Sequence, residues 1–283
     1  MSPSSLSETS FLTDMCVVGV EGGRPLSTDH VLADRVSQEA CETGLPSIIR
    51  VDSEDGASVA IAIPIYRQNS VDSIVCLIGP DSEQRIGVME VWQPIGAYDE
   101  LNMTKGFFGP LERFQNVSSF VRFERGSGLP GQVWRDHSFI IHDNLPSHPG
   151  FLRAAGASAE SLQLAIGIPV GSDDFLASVV LISSDAAPMA RGYEVWEIGS
   201  ESYTLKAAAY QRQADGVTLE VGMSLFDANS LPGQVVASQR PIITTAPNAI
   251  AMGRQSESAS YSKAISIPLF NGENLTQVLS LLI

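Results

Sequence analysis

Short runs rich in Val, Ile, Leu and aromatic residues, set between clusters of Gly, Pro, Asp and Asn, dominate the hydrophobic pattern of this chain. They predict strands over residues 17–20, 47–51, 59–65, 74–78, 88–92 and 101–108, and again over 120–123, 139–142, 164–170, 178–182, 193–198 and 203–210. Helical composition is confined to 30–41, 130–135 and 150–158. Pro130 and Pro232 suit a first helical position, where the missing N–H has no partner to lose. The pattern predicts an α+β class with antiparallel sheets and short helices.

The elements also repeat in order. Glu90-Val91-Trp92 returns as Glu194-Val195-Trp196, and Leu129-Pro130-Gly131-Gln132-Val133 as Leu231-Pro232-Gly233-Gln234-Val235. Ala60-Ile61-Ala62-Ile63-Pro64 recurs as Ala165-Ile166-Gly167-Ile168-Pro169 and as Ala264-Ile265-Ser266-Ile267-Pro268. These landmarks keep one order and nearly one period, so the chain reads as two to three copies of a unit of about one hundred residues.

The stretch Gly128-Leu129-Pro130-Gly131-Gln132-Val133-Trp134, followed by Ile140-Ile141-His142-Asp143, Phe151-Leu152-Arg153-Ala154 and Leu164-Ala165-Ile166-Gly167-Ile168-Pro169-Val170, resembles the GAF domain family. Its bacterial signalling members run from a Gly-Leu-Pro-Gly-x-Val-Trp turn, through a strand ending in Asp, to a Phe-x-Arg-Ala helix and an Ile-Pro strand. The resemblance covers residues 86–184. The third copy keeps the Leu-Pro-Gly and Ile-Pro elements but has Thr244-Thr245 in place of His142-Asp143 and lacks Phe-x-Arg, while the first copy lacks the Leu-Pro-Gly turn.

The resemblance implies tandem GAF-like domains, each a central antiparallel sheet with its last strand beside its first and a small-molecule pocket under the covering helices and loops. It makes Phe123, Phe151, Trp134 and Ile168 candidate walls of that pocket in the middle copy, and Arg125, Arg153, His142 and Asp143 its polar points. The implied role is a non-catalytic sensory or regulatory module that binds an unidentified small molecule or signals through domain contacts. A purely structural interaction or dimerisation module is the alternative. A filled sheet face in the middle copy favours that alternative, and a cavity of a few hundred Å³ lined by Trp134, Phe151 and Arg153 favours the sensor.

Short connections before the strands at 88–92 and 193–198 predict hairpins within one sheet, which assigns each Glu-Val-Trp strand to the copy preceding it. The resulting domains span 1–114, 115–215 and 216–283, in a circularly permuted arrangement. The last unit then ends on Val278-Leu279-Ser280-Leu281-Leu282-Ile283 as an uncovered apolar edge, which predicts a homodimer or another partner along it. The conventional assignment leaves the first copy incomplete instead. The interval from Ile49 to Pro64 is too short for a covering helix, which makes the first copy the poorest ligand site.

Charge then removes several function classes. Seventeen Lys and Arg against 32 Asp and Glu give a net charge of −15 without a basic cluster, which argues against nucleic acid or an anionic membrane as partner. The N-terminal residues have neither a positive n-region nor a long apolar run, which predicts a cytoplasmic protein. On that reading the Asn-x-Ser/Thr triplets at Asn102, Asn116 and Asn274 are chance matches. The residues name no cofactor.

The literal GxGxxG over Gly126–Gly131 lacks its first two glycines in the third copy and reads as turn geometry rather than a dinucleotide fingerprint. His137, His142, Asp143 and His148 match no compact zinc spacing and read as solvated loop residues, with Asp143 as a helix N-cap. Cys16, Cys41 and Cys76 are odd in number and read as inert buried thiols. The middle copy has no cysteine, against both free-methionine-sulfoxide reductase chemistry and bilin attachment. The Asn-Lys-x-Phe-Asp-Glu pattern of cyclic-nucleotide-binding GAF domains is missing as well.

Overall fold

The computed structural model describes residues 10–52, 56–96, 99–184, 186–210, 218–254 and 261–283. The first sheet is built from β1 (Asp14–Glu21), β2 (Arg24–Pro25), β3 (Ser47–Val51), β4 (Ser58–Arg67) and β5 (Ser70–Pro80), in the order β2-β1-β5-β4-β3. Helix α1 (Val31–Thr43) lies across one of its faces. The middle sheet comprises β6 (Gly87–Pro94), β7 (Glu100–Phe107), β8 (Phe123–Glu124), β9 (Ile140–His142), β10 (Leu162–Gly171) and β11 (Phe175–Ser184), in the order β8-β7-β6-β11-β10-β9. Helices α2 (Glu112–Phe120), α3 (Gly128–Asp136) and α4 (Ala154–Ala159) cover it.

The third sheet repeats that order as β14-β13-β12-β17-β16-β15, from β12 (Gly192–Ile198), β13 (Tyr203–Tyr210), β14 (Ser224–Leu225), β15 (Ile242–Thr244), β16 (Ala264–Asn271) and β17 (Asn274–Leu282). Helices α5 (Leu231–Ser238) and α6 (Pro247–Ala251) accompany it. In all three sheets the pairing is antiparallel and the last strand lies beside the first: β5 on β1, β11 on β6 and β17 on β12.

This pairing corrects the permuted assignment. The Glu-Val-Trp strands β6 and β12 pair with the strands that follow them, β7 and β13, and with the last strand of the same sheet. The short connections before them pass from one sheet to the next, so boundaries near 114 and 215 cut through the middle and third sheets. Asp185 in the second connection lies outside the described residues. The terminal apolar strand is not an edge either, since β17 sits between β12 and β16. A dimer argued from an open edge loses its ground.

The Ile-Pro repeat shows why these strands are apolar on both faces. In β4, β10 and β16 the large residues Ile61 and Ile63, Ile166 and Ile168, and Ile265 and Ile267 point into one core shared by the three sheets. The alternating small residues, Ala60 and Ala62, Ala165, and Ala264, face the helices. Gly167 is the extreme case, because a Cβ there would overlap Val133 of α3. The prolines sit two residues past the end of each short edge strand's pairing, since β3 pairs to Ala62, β9 to Gly167 and β15 to Ser266. No ladder donor is lost at Pro64, Pro169 or Pro268.

The tips of the three corresponding hairpins also meet, with Gln68 N donating to Gly272 O at 2.9 Å and Gly272 N to Ser172 Oγ at 3.1 Å.

Two further expectations change. Residues 120–123 are not a strand, because α2 runs through Phe120, whose ring is 84% exposed, and only Phe123 and Glu124 pair with β7. The first sheet does carry a covering helix, placed before β3 rather than after it. Pro130 and Pro232 lie in the first turns of α3 and α5 but not at the first position.

The Leu-Pro-Gly turn is set by backbone crowding. A Cβ on Gly131 would overlap the Glu124 carbonyl oxygen, and one on Gly233 the Asp227 carbonyl oxygen. Gly131→Ala is therefore expected to cost about 1–3 kcal/mol, because a backbone oxygen cannot rotate aside. Equilibrium denaturation checks this, and an unchanged midpoint contradicts the crowding.

Candidate functional site

Four of the eight candidate residues, Phe123, His142, Phe151 and Arg153, gather on the helix-covered face of the middle sheet, and they help to fill it. Phe123, Phe151 and Arg153 are 3% exposed or less, packed with Trp92 and Phe114 in one apolar cluster. Arg153 is the N-cap residue of α4, which carries its guanidinium in over β6. There it meets Glu90 in a fork, Nη1 on Oε1 and Nη2 on Oε2 at 2.8 Å, and Nη1 also donates to Ser118 Oγ. The two charged side chains are 1% and 0% exposed.

Four aromatic rings cage the guanidinium, Phe114 at 4.9 Å, Phe151 at 5.3 Å, Trp92 at 5.5 Å and Phe123 at 5.8 Å from its carbon. Trp92 Nε1 donates to Glu90 Oε2 at 2.9 Å, completing the acceptor. The pair is desolvated and bidentate, with Ser118 and Trp92 bonded to its two ends and Arg153 Nε left buried without a hydrogen-bond partner, so its bidentate contact offsets part of the dehydration.

The third sheet repeats the device. Glu194 accepts from Arg254 Nη2, from Tyr210 Oη at 2.7 Å and from Trp196 Nε1 at 3.3 Å, with the Arg254 and Glu194 side chains 1% and 0% exposed. The missing Phe-x-Arg of this copy is thus replaced by an arginine from beyond α6. The repeated Glu-Val-Trp was the signal for this arrangement: Glu holds the cation, Trp braces Glu, and Val faces the shared core.

The remaining candidates scatter. Ile168 is buried on the opposite face, in the core between the sheets, and lines nothing with the others. Trp134 is only half-buried and stacks on Phe175 at 5.7 Å, with Arg125 at 5.9 Å over its ring at the surface. Asp143 is exposed and caps no helix, since α4 starts at Ala154 behind Arg153. Gly126 N is bonded to Gly131 O at 2.7 Å, so the GxGxxG loop closes on itself as turn geometry.

His142 is 2% exposed and not the solvated loop residue expected. Its Nε2 donates to Gln132 Oε1 at 3.1 Å and its ring stacks on His148 at 3.8 Å, leaving Nδ1 a buried acceptor. Among the described residues no cluster of His, Cys, Asp and Glu is arranged to hold a metal. Two cavities of roughly the expected volume border the first sheet instead. One of about 540 Å³ is lined by Cys41, Arg67 and Asp72 with Glu273 of the third sheet, and one of about 520 Å³ runs along the start of α1. No described helix is long and apolar enough to cross a membrane.

No protein-family model matches the chain, and no curated protein sequence matches it. It is similar to three solved structures among others. They are the nlh2 GAF domain of A. aeolicus in an inactive state (14% identity, TM-score 0.29, 35% of this chain and 58% of that one), the free methionine-R-sulfoxide reductase of Neisseria meningitidis (19%, 0.28, 36% and 53%), and the chromophore-binding domain of a bacteriophytochrome from R. palustris (10%, 0.27, 89% and 70%). The chain covers less than two thirds of the first two. The fold is GAF-like on its own strand order, last strand beside first under a Leu-Pro-Gly helix.

Two predictions follow from the filled face. Arg153→Met leaves Glu90 buried without its cation and is expected to cost about 3–5 kcal/mol, whereas the double variant Glu90→Gln/Arg153→Met recovers much of that loss. Urea denaturation of the four proteins of the cycle measures it, and additive losses contradict the pairing.

Burial, with the neighbouring His148 ring as the second cause, lowers His142 from 6.5 to about 4. The unfolded chain takes up a proton below pH 6.5 that the fold excludes until about pH 4, so this contribution is complete above 6.5 and falls by roughly 3 kcal/mol across the window. His142→Gln should flatten that stretch of the stability-against-pH curve, and parallel curves contradict the assignment.

Proposed function

We propose that this chain is a non-catalytic regulatory module of tandem GAF-like units that works through contacts between its sheets and with a protein partner, and not through a ligand in its middle unit. The observation that carries this is the Arg153 guanidinium, which occupies the helix-covered face of the middle sheet as a built-in ligand for Glu90. An incoming molecule would have to displace a fully buried, bidentate pair, at a cost of several kcal/mol. The polar groups left nearby are unsuited to catalysis: His142 is held neutral in the core, and Arg125 and Asp143 stand apart at the surface.

Small-molecule sensing is the second reading. One observation favours it, the cavity of about 540 Å³ at the first sheet, a size ordinary for a ligand site.

Native mass spectrometry of the full chain, purified from its own host without added ligand, separates the two. The interaction reading expects the bare polypeptide mass per subunit. A stoichiometric small-molecule adduct that Glu90→Gln abolishes would overturn it, and an adduct indifferent to Glu90 but lost in Arg67→Ala would move the function to the first sheet's cavity.

A further inference from the structure

Strand register identifies the position in the first sheet that corresponds to the two buried glutamates. Pro169 pairs with Ser178, which pairs with Trp92, and Pro268 pairs with Val278, which pairs with Trp196. In the first sheet Pro64 pairs with Ile74 and Ile74 with Val18. Two residues before Trp92, Trp196 and Val18 stand Glu90, Glu194 and Cys16. The partners across the ladder are Val180, Ser280 and Cys76. Where the other sheets hold a carboxylate for an arginine, the first holds two thiols facing each other under α1.

We propose that Cys16 and Cys76 are a reversible dithiol–disulfide pair, in which Cys16 is the thiol that attacks a hydroperoxide and Cys76 the one that resolves it. Directly opposed residues of an antiparallel ladder have Cα atoms about 4.5–5.5 Å apart, inside the span of about 4.4–6.8 Å a disulfide bridges. The pair therefore closes without strand displacement.

The two sulfurs differ as the chemistry requires. Cys76 is 0% exposed and its Sγ lies 3.0 Å from Ser37 Oγ of α1, whereas Cys16 is half-buried at the sheet margin. A hydrogen bond from Cys76 lowers the Cys16 thiol, assisted by Lys263 and opposed by burial and by Asp14 and Asp34. The same bond, with burial, keeps Cys76 protonated. Cys41, the third thiol, is raised by burial and has no cysteine opposite it.

The steps balance. The Cys16 thiol ionises and its thiolate attacks the peroxide, an S–O bond forms, the O–O bond breaks, and the departing alkoxide or hydroxide takes up the proton that Cys16 released, leaving as alcohol or water. The Cys76 sulfur then attacks Cys16, the S–S bond forms, the S–O bond breaks, and the leaving hydroxide takes the Cys76 proton as water. Two thiols are oxidised and one hydroperoxide is reduced. The product ties the first strand of the sheet to its last beneath α1.

The test uses the full chain carrying Cys41→Ser, treated with stoichiometric hydrogen peroxide in native buffer. Thiol counting and non-reducing peptide mapping should show two thiols lost to an intramolecular Cys16–Cys76 peptide, with a raised melting midpoint that dithiothreitol reverses. In Cys76→Ser, dimedone should label Cys16. In Cys16→Ser, Cys76 should stay a free thiol. The proposal is overturned if Cys16 remains reduced, if it passes to sulfinic acid with Cys76 present and no linked peptide formed, or if the linkage joins two chains.

Discussion

Every sheet in this molecule is buried on both faces, and the difference between those faces organises the rest. One face presents paired isoleucines to a core common to all three sheets, while the other is kept low by Ala and Gly so that a helix can lie close. Large branched side chains on the helix face would push α3 off β10, since even a Cβ at Gly167 meets Val133. Small residues on the shared face would empty a core that no single sheet can fill. The alternation is thus a constraint between sheets as much as within them, and the prolines that follow it stop the edge strands without unsatisfied donors.

Within that frame, one position of each first strand lies on the helix-covered face, sealed from water at Glu90 and Glu194 and half-buried at Cys16, and its occupant sets the chemistry of its unit. Glu90 and Glu194 require a cation, and each sheet recruits one from a different segment, Arg153 ahead of α4 and Arg254 after α6. Cys16 requires no cation and faces a second thiol. The helix-covered face, where the sequence resemblance implied a pocket, is therefore occupied by the protein's own side chains in the two six-stranded sheets. Cavities of ligand size border the five-stranded one.

Much of this was legible in the sequence. Strands 47–51 and 203–210 were readable to the residue, because alternation and turn clusters bound them sharply. The Leu-Pro-Gly turn and the Ile-Pro strand were visible as repeats. Strand pairing was not, because a short connection can pass between packed sheets as readily as it closes a hairpin. Helix α2 was hidden because Val117 and Phe120 face outward and only Phe114 and Ser118 are buried, which erases the helical period.

Arg153 was found, but its role was not. A lone arginine beside aromatic residues reads as a ligand contact until the glutamate repeated in both Glu-Val-Trp strands is seen as its partner. Ile168 was misplaced because the period of two, which sends it to the shared core, says nothing about which face the helices cover.

If the shared core is what holds the sheets, they cannot unfold apart. The three tryptophans all lie in the middle and third sheets or their helices, and Cys76 is buried in the first. Equilibrium urea unfolding followed at once by tryptophan fluorescence and by reactivity of the Cys76 thiol in a Cys16→Ser/Cys41→Ser chain therefore reads both ends of the core. The account predicts one transition with coincident midpoints. Exposure of Cys76 at a denaturant concentration that leaves the fluorescence native would show an independently folded first sheet and contradict it.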